Sequence, residues 1–155
     1  MESLHPLVVH FPIALLLTAL LLDALALILK RPALHRVALW NLALGTLGAG
    51  AAVWSGLQAG GVAKHTFEIH QVMELHRKLG IATLVIGILV TLGRLVVRER
   101  LPGWARAVSL ILMLGMAGTL AYGAHLGGRL VYEFGVGGSF GATPPVSVEE
   151  HHHEH

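Results

Sequence analysis

Four stretches of the chain, residues 7–29, 37–60, 79–97 and 104–127, are apolar almost without interruption. Each runs to about 19–24 residues, against the ~20 that carry a helix across the hydrocarbon core of a bilayer. No stretch alternates apolar and polar residues with period two, and a membrane barrel needs at least about eight such strands. The expectation is therefore an all-α protein, a transmembrane up-down-up-down four-helix bundle in contact with the lipid bilayer. The first stretch lacks a basic leader and runs long before Lys30-Arg31-Pro32, so it is read as a retained span, not a cleaved signal.

Composition supports this choice. Only 13% of the 155 residues are charged and the mean hydropathy is +0.68, where soluble domains carry about 25% charge. The absence of Cys excludes disulfides, iron–sulfur clusters, zinc–thiolate sites and covalently attached c-type haem. A formal charge of +2 with no basic cluster among aromatics leaves no basis for nucleic-acid binding.

The connections organise the spans. Residues 30–36 and 98–103 are short links; residues 61–78 form a longer one, expected to be partly helical and to extend the third span. Short links make consecutive helices antiparallel neighbours, so spans one and three are expected to be diagonal, as are two and four. Residues 1–134 read as one transmembrane domain and residues 135–155 as a Gly/Pro/His-rich mobile tail. The short-link side carries Lys30, Arg31, Arg36, Arg94, Arg98, Arg100 and Arg106, against Lys64, Arg77, Lys78 and Arg129 on the side of the termini. The positive-inside rule then puts both termini outside, in the periplasm or its equivalent.

Eleven His match Lys and Arg combined, an unusual proportion for so apolar a chain. Ten fall on the side of the termini; His35 alone does not. At ~1.5 Å per residue, His10, His76 and His125 land about 28–32 Å from the opposite boundary, on three different helices. His5 and His70 form a second layer about 8 Å further out. Imidazole is the commonest metal ligand and a poor lipid-facing group. Two cofactor classes remain: a non-covalent haem b with two axial His, or a Zn, Cu or Ni site of His with Glu. His10 with His76 is the first-choice haem pair, across the bundle centre; His10 with His125 and His70 with His125 are the alternatives. The bland alternative is that these His only solvate helix ends.

Haem needs small residues around it. Span two has Gly45, Gly48, Ala49, Ala52 and Gly56, with Gly56 level with the His layer, and span four has Gly115, Gly118, Gly123, Gly127 and Gly128. The same glycines also suit ordinary small-xxx-small helix packing, including self-association. Gly118, Tyr122, His125 and Arg129 share one face of span four, and Arg129 and Lys78 lie where haem propionates would emerge. Glu68 and Glu74 are candidate acceptors that orient ligand imidazoles. Asp23 is the one acid inside a span; it is read as paired with Arg94 or Arg36, or simply protonated, with a proton-relay role as the alternative. The tail tract from Glu149 to His155 is read as dispensable, with weak binding of Zn, Cu or Ni as the alternative. No nucleophile stands beside a base.

The opening His5-Pro-Leu-Val-Val-His-Phe-Pro-Ile-Ala-Leu-Leu, the second span ending Ser55-Gly56, the His76 turn and the closing His125-Leu-Gly-Gly-Arg-Leu-Val-Tyr132 resemble a family of small bacterial membrane proteins, domain of unknown function 2231. The resemblance covers residues 1–137. It implies a four-helix membrane domain and, because relatives are fused to c-type cytochrome or Rieske-like modules, a redox setting. Here such a partner would be a separate c-type cytochrome or Rieske-type protein. The expected function is thus a b-type cytochrome-like membrane subunit that relays electrons without being an enzyme on its own. The alternatives are a periplasm-facing His-based metal-binding or transport accessory protein, or a cofactor-free structural membrane subunit.

Overall fold

A computed structural model of the chain describes residues 5–59, 67–97 and 102–135, with side chains over 9–58, 67–97 and 102–135. Four helices account for almost all of these: α1 (His5–Ile28), α2 (Pro32–Ala59), α3 (Phe67–Val97) and α4 (Gly103–Tyr132). All four are long and apolar enough to cross a membrane. The all-α four-helix membrane bundle expected from the sequence is what forms. α3 begins at Phe67, so the longer middle link does extend the third span. The tail beyond Gly135, His65 and residues 98–101 lie outside the described residues.

Neighbours follow the chain: α1 packs on α2, α2 on α3, α3 on α4, and α4 closes on α1 along the sparsest seam. No backbone contact joins the diagonal pairs α1/α3 or α2/α4 among the described residues. Contacts run antiparallel. Gly48 meets Pro12 while Gly45 meets Leu16, and Thr119 pairs with Thr83 while Ser109 pairs with Arg94.

Each helix buries one narrow stripe. On α1 it is Pro12, Leu16, Ala19, Asp23 and Ala26; on α3 it is Thr83, Gly87, Val90, Thr91 and Arg94. Steps of three and four residues keep such a stripe on one face. Leu16, Ala19, Leu42, Ala49, Val90, Met113 and Met116 form the core. The remaining surface stays apolar: Trp40, Leu47, Trp54, Trp104 and Val96 are all more than 60% exposed. A helix apolar all round belongs in lipid, where its outer face meets acyl chains instead of water.

Because α1 starts at His5, Pro12 lies two turns inside the helix, past the first turn where proline is tolerated. It lacks the N–H that would bond back along the helix, and its ring seats against Gly48, where an added Cβ would lie 3.3 Å from Pro12 Cβ. α1 ends in a tight reversal: Lys30 N–H donates to Leu27 O (3.4 Å) and Arg31 N–H to Ala26 O (3.0 Å). That pattern wants a left-handed residue, normally Gly. Lys30 occupies it with φ 52°, at about 1 kcal/mol more than Gly would cost. Pro32 then opens α2, where its missing donor is harmless.

Hydroxyls link the helices in mid-bundle. Thr83 Oγ1 and Thr119 Oγ1 lie 2.9 Å apart across α3 and α4, and Thr46 Oγ1 approaches Thr91 Oγ1 at 3.4 Å. Thr83, Thr46 and Thr119 also donate to a carbonyl of their own helix, Leu79 O, Leu42 O and Met116 O respectively. Interhelical hydrogen bonds in membranes average about 0.6 kcal/mol, because the separated helices also find partners. A Thr83→Val/Thr119→Val double-mutant cycle is therefore expected to return about 0.5–1 kcal/mol of coupling. A coupling near zero, read from unfolding in mixed micelles, would contradict it.

Candidate functional site

Two polar sites stand at opposite ends of the bundle. The first is at the end of the termini and centres on His76. In α3, His76 is half-buried against α4, with Nδ1 2.8 Å from the Gly123 carbonyl oxygen. A carbonyl only accepts, so Nδ1 carries the hydrogen and Nε2 is left with its lone pair. Gly127 makes room for the ring: a Cβ there would lie 3.1 Å from His76 Cε1. The Gly123 carbonyl and the gap at Gly127, one helical turn apart on α4, thus seat one imidazole.

The other His proposed as ligands sit differently. His10 on α1 and His125 on α4 are both exposed. The His125 ring stacks on Tyr122 at 6.4 Å between centroids and 20° between planes. The face Gly118, Tyr122, His125, Arg129 does lie on one side of α4, but Gly118, Tyr122 and His125 are exposed, because Gly123, Leu126 and Leu130 take the buried side. His70 is exposed near the start of α3, and Gly56 is half-buried near the end of α2. His5 opens α1, and its side chain lies outside the described residues. Among the described residues no three His, Asp or Glu come together as a metal-ion site.

The cations assigned to haem propionates already hold carboxylates one turn away. Lys78 Nζ lies 2.8 Å from Glu74 Oε1, and Arg129 Nε 2.9 Å from Glu133 Oε2. Arg129 also sits 5.9 Å from the centre of the Phe134 ring. Exposed i,i+4 pairs of this kind are worth only about 0.3–0.5 kcal/mol, so another anion could displace either carboxylate. Of the glycines, Gly45 and Gly48 abut α1, whereas Gly115, Gly118 and Gly128 have open space where a Cβ would be.

The second site lies at the short-link end and takes one residue from each helix. Asp23 of α1 is 1% exposed. His35 Nδ1 of α2 lies 2.6 Å from Asp23 Oδ1, and Arg94 Nη2 of α3 donates to Asp23 Oδ2. Arg94 Nε donates to Ser109 Oγ of α4 at 2.8 Å. Arg94 and Ser109 are only 6% and 7% exposed. An acid or an Arg alone costs about 2.5–3.5 kcal/mol in a span; here each neutralises the other on the inside of the bundle. No buried side-chain N or O among the described residues lacks a partner. Of the two partners expected for Asp23, the structure supplies Arg94.

His35 and Ser109 escaped the sequence reading. His35 was set aside as the lone His away from the others. The usable signal was its place in the hairpin: Asp23 and His35 lie similar distances before and after the Lys30 turn, which sets them side by side in antiparallel helices.

The model of the family described as "Predicted membrane protein (DUF2231)" matches residues 1–139. Neither a curated protein nor a solved structure matches the chain.

Proposed function

Since the chain belongs to the DUF2231 family of predicted membrane proteins, we propose that it is a membrane-embedded redox subunit that binds haem b non-covalently at the end of its termini. The orientation in the membrane follows the basic residues: termini outside, in a bacterial inner membrane, facing a separate c-type cytochrome or Rieske-type partner.

The observation that carries this reading is the His76 seat. Ligand His in metalloproteins give their second nitrogen to a carbonyl or carboxylate, which fixes tautomer and ring orientation. The Gly123 carbonyl does this for His76, and the Gly127 notch fixes the ring plane. Bound haem would supply one-electron chemistry. His76 Nε2 would hold the group, and Arg129 and Lys78 would exchange their exposed carboxylates for its propionates. His10 or His125 would supply a second nitrogen. Both are exposed, which favours a group held at the bundle surface over one at its centre.

The test is a reduced-minus-oxidised spectrum of protein purified from haem-replete cells. A Soret shift with an α band is expected, lost in His76→Ala. Gly127→Ala, which pushes on the ring, should displace the band. No band in the wild type sinks the proposal. Normal spectra in both His10→Ala and His76→Ala remove the ligand assignment. One equivalent of Zn or Cu in place of haem, lost with the same variants, would instead make the protein a metal-binding accessory.

One observation favours a second reading. The exposure of both His10 and His125 suits a cofactor-free structural subunit whose His meet headgroups and water. It requires His76→Ala to leave function and spectrum unchanged.

A further inference from the structure

At the end opposite His76, a pocket of about 300 Å³ opens beside the buried Asp23–Arg94 pair, lined by Ala26, Leu27, Lys30, Pro32, His35 and Arg106. Its polar groups are all cationic or potentially so. They come from three places in the fold: the α1–α2 turn, the first turn of α2, and the first turn of α4. No described carboxylate pairs with Lys30 or Arg106. The nearby acid, Asp23, is committed to Arg94 and to His35 Nδ1, so it offers nothing to Lys30 or Arg106. The helix ends offset each other, since Pro32 opens α2 while Ala26 and Leu27 lie in the last turn of α1, so the positive charge rests on the side chains.

Lys30 supplies an independent indication. It is the one non-glycine residue with positive φ among the described residues, at the position of a helix-ending turn that glycine fits best. Backbone strain kept at one residue marks a side chain that is needed there. Here the side chain lines the pocket.

We infer that this pocket binds a phosphate-type anion: a phosphate monoester or diester held by Lys30 and Arg106, with His35 contributing its second ring nitrogen. The cationic groups match the oxygens of phosphate, and Ala26 and Leu27 give one apolar wall. Two sources share this chemistry, the headgroup of an anionic phospholipid and free phosphate.

The experiment uses the full chain and two variants, Lys30→Gly and Arg106→Gln. Retention of phosphatidic acid or phosphatidylglycerol is read by native mass spectrometry from mixed micelles. Inorganic phosphate binding is read by calorimetry in nanodiscs of phosphatidylcholine alone. The expected result is saturable binding in one arm, weakened about tenfold by either variant, as for loss of one charge-assisted hydrogen bond, and weakened by added salt. Retained lipid that phosphate does not displace identifies the headgroup; phosphate binding in neutral discs identifies the free anion. Lys30→Gly separates binding from folding, because it relaxes the turn: thermal stability should hold or rise while anion binding falls. Equal binding by the wild type and both variants, or no saturable binding in either arm, overturns the inference.

Discussion

Asp23→Ala is expected to destabilise the bundle by about 3–5 kcal/mol, the largest effect of any single substitution considered for this chain. The reason is asymmetry. The Asp23 carboxylate is almost fully buried and answers two donors, the Arg94 guanidinium and the His35 ring. Truncation leaves Arg94 as an uncompensated charge in an apolar interior. Arg94→Met is expected to cost a similar amount, by stranding the acid. Removing both should cost far less than the sum, because a well-packed apolar pair replaces an ion pair at little net loss. Unfolding in mixed micelles for the two single variants and the double variant measures this coupling. Additive losses, or single losses below about 1 kcal/mol, would mean that Asp23 and Arg94 do not depend on each other.

Gly45→Val is the second large effect, about 1–3 kcal/mol from overpacking. An added Cβ would stand 2.8 Å from Leu16 Cδ2, 2.9 Å from Leu16 Cγ and 3.2 Å from Leu15 Cβ. Leu16 is 1% exposed and belongs to the core, so it has nowhere to turn, and α1 must move away from α2. Gly115→Ala provides the contrast, since nothing lies within 4 Å of its added carbon. There the change is expected to stay within about 1 kcal/mol, with the sign of helix propensity. Similar losses at both positions would show that the α1–α2 distance is not set by Gly45.

The length, number and pairing of the helices were legible because bilayer thickness imposes them. A run of about 20 apolar residues and short links leave few arrangements. The candidate site was less legible, for a specific reason. In water, an apolar stripe shows which side of a helix faces inward. In lipid both sides are apolar, so that signal is weak. Counting residues assigned a depth to His10, His76 and His125, and depth says nothing about rotation. His76 turns toward α4 because Gly127 leaves space there and the Gly123 carbonyl accepts its N–H; Tyr122 and His125 turn away because Leu126 and Leu130 occupy the inside. Asp23 with Arg94 was recoverable, since a charge in a span must meet its opposite. Ser109 was not, because a Ser in a span can satisfy itself on its own helix carbonyls.

The four-residue network also bears on how the protein is made. Within it, Asp23 and His35 belong to the first helical hairpin, and Arg94 and Ser109 to the second; one ion pair joins the halves. Synthesis delivers the first hairpin earlier, so during that interval the acid has only an imidazole beside it. Arrival of the second hairpin brings the missing cation. Each half therefore enters the bilayer with a charge that its counterpart alone can fully compensate. A stray apolar hairpin offers no such match, so the ion pair selects the correct mate at the moment of assembly.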